Sequence, residues 1–247
     1  MDTAFIIGNG ESRNIFPIDK LKGQGTIYGC NAIYRDHPML CDHIVAVNPP
    51  MYQELVKWHN NGKESPVIHG PEDISKWNYI CEGDHEHNIP LGLKIYRVWR
   101  GGDVKKGGKI KTNDFTKAKG SGCSAVLMAA ESGIKNIVIL AFDIMGAQQW
   151  EMETPSRIQN NIYKDSINYP GRESMKAYLK YEWMFQLRQT FKKFPRTNFY
   201  FINRKEYLDG NPFLRWYFDQ PNVKCGIYAD LQRWITGVRD DIKWKKL

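Results

Sequence analysis

Five residues near the start of the chain, Gly8-Asn9-Gly10-Glu11-Ser12, have the types and spacing to hold an anion or a nucleotide. Two glycines around one Asn strip Cβ atoms from a turn, so its backbone N–H groups are expected to lie uncovered and to approach a phosphate closely. Only two glycines of a G-x-G-x-x-G turn are present, and no GKS or GKT follows as in a P-loop. An ordinary tight turn uses the same residues, so both readings stay open. Asn31 and Asn48 end two further apolar runs. A planar amide offers donors and an acceptor together, which suits a pyrimidine edge or a ribose hydroxyl. A single Asn reads first as a turn former; three on one sheet edge are harder to dismiss. Ser121-Gly122 opens a helix whose N-terminus is a second candidate anion or nucleotide site. Asp143 stands at the end of an apolar run, and Asp165 and Tyr169 lie in a polar stretch. A carboxylate of suitable pKa among them could take a proton from an acceptor hydroxyl.

The elements that must position these residues follow from periodicity. Ala4–Ile7, Thr26–Asn31 and Asp42–Asn48 read as strands ending at Asn9, Asn31 and Asn48. Met51–Asn60 reads as a helix, Val67–Gly70 as a short strand and Leu93–Arg100 as an alternating strand. Gly120–Ser124 opens a helix through Ser132, with Ser121 or Ser124 as cap and Gly133 as its end. Ile137–Ala141 is the clearest buried strand. Met145–Gly171 lacks periodicity and fits a lid. Arg172–Phe194 is the longest helix, and Asn198–Asn203 is a strand that again ends in Asn. Helix, glycine, strand and acid in that order make a helix-to-parallel-strand unit, hence an α/β fold with a mostly parallel sheet. Ligands of such a sheet bind outside the carboxyl ends of its strands.

Charge is unevenly spread along the 247 residues, whose net charge is +8. Residues 1–100 carry ten Lys and Arg against twelve Asp and Glu, residues 101–120 six against two, and residues 151–247 eighteen against eleven. The excess therefore sits in a central loop and the C-terminal part. That loop holds Lys105, Lys106, Lys109, Lys111, Lys117 and Lys119 among glycines. It reads as a solvated connector or as a basic flap over phosphates or a nucleic-acid backbone. The tail from Asn211 interleaves Phe213, Trp216, Tyr217, Trp234 and Trp244 with bases. It fits base stacking, or an aromatic-packed C-terminal extension over 211–247 beside a main domain over 1–210. No apolar run is long enough to cross a bilayer and no secretory signal precedes the first strand. Five scattered cysteines without a CxxC read as reduced cytosolic thiols. Asp84-His85-Glu86-His87 has metal-ligand spacing, but with no third ligand evident a solvated loop is the preferred reading.

The order and spacing of Ile6-Ile7-Gly8-Asn9-Gly10-x-Ser12, Cys30-Asn31-x-x-Tyr34, Val47-Asn48-Pro49, Ser121-Gly122, Gly133-x-Lys135-x-Ile137 and Asp143 resembles family 42 sialyltransferases and related nucleotide-sugar transferases. The resemblance spans roughly residues 4 to 145. It implies a single Rossmann-like domain with a small lid, working without a metal or a cofactor beyond a CMP- or UDP-type sugar donor. By the same resemblance Gly8, Asn9, Gly10, Ser12, Asn31, Asn48, Ser121 and Gly122 would line the nucleotide pocket. Tyr163 or Tyr169 would correspond to lid tyrosines at the leaving phosphate. That family uses a lid histidine as general base, and Met145–Gly171 contains none; Asp143, Asp165 and Tyr169 are the nearest substitutes. The departure, with the basic surface, turns the expectation from a sialic acid donor toward a DNA acceptor. A glycosyltransferase of the sort phages encode, acting on hydroxymethylated cytosine through an extra-helical base, fits these features. The alternatives are a pterin pyrophosphokinase-like enzyme, which shares a G-x-G-x-S turn and needs ATP and magnesium, and a non-catalytic protein that sequesters a nucleotide.

Overall fold

Apolar side chains in the first strand alternate between two cores. Ala4 and Ile6 pack on one face of the sheet, Phe5 and Ile7 on the other. A strand buried on both faces belongs inside a parallel sheet covered on each side, and the computed structural model has that architecture. It describes residues 2–47, 49–60, 67–70, 94–95, 120–144, 161–169, 178–209, 214–215, 218–238 and 242–246. The strands are β1 Thr3–Ile7, β2 Thr26–Cys30, β3 His43–Val45, β4 Val67–Gly70, β5 Lys94–Ile95, β6 Asn136–Leu140, β7 Asn198–Asn203 and β8 Val223–Ile227. They form one eight-stranded sheet in the order β5-β4-β3-β2-β1-β6-β7-β8. Every neighbouring pair is parallel.

The helices are α1 Pro49–Asn60, α2 Ser121–Glu131, α3 Tyr178–Lys193, α4 Lys205–Asp209 and α5 Tyr228–Ile235. Helices α2 and α3 and residues Tyr207 and Leu208 of α4 cover the face of Ala4 and Ile6. Short 3₁₀ turns at Glu11–Ile15, Ile18–Leu21 and Asn31–Arg35, with α1 and α5, cover the face of Phe5 and Ile7. From β1 the chain lays strands outward to β5, then returns through α2 to β6 and builds in the other direction. The connections change face at that reversal. This is a Rossmann-like α/β fold, and its topological switch point lies between the carboxyl ends of β1 and β6, the place where such sheets bind ligands.

Several bounds differ from expectation. Helix α2 starts at Ser121, with Gly120 at its N-cap and no side chain capping it. Gly133 follows the helix in a left-handed conformation, φ 83°, as its end requires. The expected C-terminal extension supplies β8 and α5: β8 is the outer strand of the same sheet, paired with β7 from Phe199↔Val223 to Asn203↔Ile227. Among its described aromatics, the Trp234 and Trp244 rings each lie within 5 Å of the Tyr200 ring centroid. Asp84–His87, most of Leu93–Arg100, the Lys105–Lys119 loop and the start of the expected 172–194 helix lie outside the described residues.

Candidate functional site

The turn after β1 is held against the end of β6. Gly8 N–H donates to Leu140 C=O and Gly10 N–H to Ala141 C=O, both at 2.9 Å. A Cβ on Gly8 would sit 2.3 Å from the Ala141 oxygen, and one on Gly10 would sit 2.5 Å from the Asp143 carboxyl carbon. The glycines therefore let two strand ends close on each other, and their N–H groups are taken by the protein. This corrects the expectation of an uncovered anion cradle. The physical reason is register: β1 and β6 are adjacent, and their ladder runs on past Ile7↔Leu140 into the turn.

Asp143 locks the same turn from below. It is 8% exposed. Its Oδ2 accepts the Ser12 N–H at 2.8 Å, and its Oδ1 accepts the Ser12 hydroxyl at 2.5 Å and the Asn203 amide at 3.1 Å. Charge-assisted bonds of this length are strong. Ser12 Oγ also meets the Tyr228 hydroxyl at 3.0 Å. Four strand ends, β1, β6, β7 and β8, are thus tied by Ser12, Asp143, Asn203 and Tyr228. Burial pushes the Tyr228 phenol well above its ordinary range.

On the other side of the switch point lies a chain of amides and hydroxyls. Asn31 follows β2 in a left-handed conformation, φ 52°, where Asn is among the tolerated residues. Its Oδ1 accepts the Ser121 hydroxyl at 2.7 Å, and Ser121 Oγ accepts the Val47 N–H at 3.1 Å. Ser121, being the first helical residue, ties the ends of β2 and β3 to α2 instead of capping the helix. Gly122 faces the Phe142 ring, which a Cβ would meet at 2.7 Å. Asn9 Nδ2 donates to the Tyr169 hydroxyl at 3.1 Å. Asn9 Oδ1 is buried without a partner. Asn48 lies outside the described residues.

Residues 161–169 cross these strand ends as a strap. Ile162 N–H donates to Asn9 C=O at 2.9 Å. Buried Arg13 donates to Asp36 at 2.6 Å and to the Tyr163 hydroxyl at 3.0 Å, and Tyr163 donates to Asp36 at 2.9 Å. Arg35 reaches Ser166 Oγ and Ile167 C=O while pairing with Glu54, which also takes Asn168 Nδ2 at 2.6 Å and the Tyr34 hydroxyl. Tyr163 therefore pins the strap, and Tyr169 touches Asn9. Burial raises both phenols above their ordinary range. Asp165 is exposed at the strap's tip, φ 65°.

Of the expected residues, the structure brings Gly8, Asn9, Gly10, Ser12, Asn31, Ser121, Gly122, Asp143, Tyr163 and Tyr169 to one edge of the sheet. Arg13, Asn203 and Tyr228 join them unforeseen. Asn203 carries a signal, the recurrent strand-ending Asn; Tyr228 carries none, because Val223–Ile227 has no clear strand pattern in the sequence. Among the described residues no helix is long and apolar enough to cross a membrane and no group of His, Cys, Asp or Glu could hold a metal ion. Fold and edge together define a Rossmann-like α/β protein with a polar switch point. No protein-family model matches the chain, and no curated protein or solved structure matches it.

Proposed function

We propose that the chain binds a pyrimidine nucleotide at the switch point and acts as a metal-independent glycosyltransferase on an acceptor hydroxyl, with 5-hydroxymethylcytosine in DNA as the preferred acceptor. The observation that carries the nucleotide reading is the convergence of Asn9, Asn31, Ser121 and Tyr169 on the carboxyl edge of the sheet, beside the switch point between β1 and β6. Asn9 Oδ1, buried and unpartnered among the described residues, asks for a donor such as a base amine or a ribose hydroxyl. The motif order shared with nucleotide-sugar transferases supports the reaction class, and the basic 101–120 segment supports the DNA acceptor. Calorimetry with CMP, UMP, ADP and GDP tests the site: a pyrimidine preference supports it, and equal or absent binding sinks it. Incubation with hydroxymethylated duplex DNA and several nucleotide sugars, followed by digestion and mass spectrometry, tests the reaction; no mass gain on cytosine refutes the acceptor.

One observation favours a second reading, a nucleotide-sequestering protein without turnover. Both Asp143 oxygens and the Tyr169 hydroxyl are already bonded within the protein, which leaves exposed Asp165 as the proton acceptor among the three candidates. Tight stoichiometric binding with no product on any acceptor decides for that reading.

A further inference from the structure

Arg204 directly follows the last residue of β7 and so stands at the carboxyl edge, two strands from β1. Its backbone N–H is taken by the Asn203 side chain at 2.7 Å, and the same side chain reaches Asp143. The guanidinium stands apart from the other arginines at this edge. Arg13 is paired with Asp36 and Arg35 with Glu54. Arg204 is partly buried, its Nη2 is shut off from solvent without a hydrogen-bond partner, and no ion pair holds it among the described residues. A cation taken from water without compensation is costly. Asp143, linked to this corner through Asn203, is already occupied by Ser12 and Asn203. The Tyr228 hydroxyl feels the Arg204 charge, which opposes the effect of burial on that phenol. A guanidinium with a buried, unpartnered nitrogen at the ligand-binding edge is suited to an incoming anion, and its planar fork matches phosphoryl oxygens in pairs.

We propose that Arg204 takes a phosphoryl group of the bound nucleotide, forming an anion site at the carboxyl edge of β7; this rests on the nucleotide-binding reading above. The test is calorimetry on the full chain with inorganic pyrophosphate, CMP, UMP, cytidine and uridine, using wild type, Arg204→Gln and Arg204→Lys. Arg204→Gln should weaken pyrophosphate and both nucleotides by about 10- to 100-fold, leaving the nucleosides unchanged. Arg204→Lys should restore part of the loss, because it keeps the charge without the fork. In the absence of ligand Arg204→Gln should melt at or above the wild-type temperature, whereas a structural arginine would lower it. Equal binding of phosphate-bearing probes by wild type and Arg204→Gln overturns the anion site and leaves the nucleotide reading standing. Failure of every phosphate-bearing probe to bind wild type overturns the anion site and the nucleotide reading together. Pyrophosphate binding that depends on Arg204, without binding of any nucleoside or nucleotide, upholds the anion site and removes the nucleotide reading.

Discussion

Gly10→Ala separates the two explanations for the glycine turn. Gly10 has φ −66° and ψ 147°, a conformation any residue adopts, so backbone strain is no part of the effect. Alanine would gain about 0.4–1 kcal/mol from a less flexible unfolded chain. Against that, its Cβ would lie 2.5 Å from the Asp143 carboxyl carbon and 2.7 Å from the Ala141 oxygen. Relieving such overpacking costs about 1–3 kcal/mol, and parting Gly10 N–H from Ala141 C=O adds about 1 kcal/mol. The net loss is therefore about 2 kcal/mol, read as a lower denaturant midpoint with unchanged slope. Two of the three nearest atoms belong to Asp143, so the Gly10→Ala/Asp143→Ala double variant should show a coupling of about 1 kcal/mol relative to the two single changes. Gly8→Ala should cost more than Gly10→Ala, since its nearest obstacles include the Ala141 backbone at 2.3 Å. A Gly10→Ala protein as stable as wild type but weakened in nucleotide binding would refute this reasoning and return the glycine to a ligand-facing role.

Two further predictions concern the buried polar groups. Ser121→Ala removes the hydroxyl between Asn31 and Val47 N–H and leaves the latter without that acceptor; a loss of about 1–3 kcal/mol in denaturant melts is expected, and a neutral variant would show the link to be dispensable. Burial raises the phenols of Tyr28, Tyr52, Tyr163, Tyr169 and Tyr228 and the thiols of Cys30, Cys41 and Cys123. Their folded-state pKa lies above the unfolded one, so the stability they carry is complete below the ordinary values of 9.0 for the thiols and 10.0 for the phenols and is lost as pH rises beyond them. Each such group removes up to about 1.4 kcal/mol per pH unit in that range. Denaturant midpoints should fall steeply above about pH 9, with tyrosinate absorbance rising at unfolding instead of before it; early, complete tyrosine ionisation in the folded protein would contradict the burial.

Local pattern made much of the fold legible. Runs such as Ile137–Ala141 and Asn198–Asn203 can bury themselves only as inner strands, and they are β6 Asn136–Leu140 and β7 Asn198–Asn203. Gly133 marked the end of α2 because its left-handed φ is a local requirement. Strand-terminal Asn9 and Asn31 were visible for the same reason: backbone geometry repeats every strand, so residues at equal depth in successive strands share an edge. Val223–Ile227 is not legible as a strand because Lys224 and Gly226 dilute its apolar character; its place comes from pairing with β7 and from Trp244 packing over Gly226.

Chain order alone established an α/β protein with polar residues at the strand tips. Which of those residues remain free to meet a ligand was decided in three dimensions. Asp143 and Ser12 are 131 positions apart and look independently reactive, yet they spend their oxygens and hydrogens on each other. Gly8 and Gly10 give their N–H groups to Leu140, the last residue of β6, and Ala141 just after it, which arrive some 130 residues later. Arg204 Nη2 is buried without a partner, next in the chain to an Asn203 whose side-chain amide is held by Asp143. A hydrogen bond depends on distances between atoms, and separation along the chain does not specify those distances until the sheet order is set.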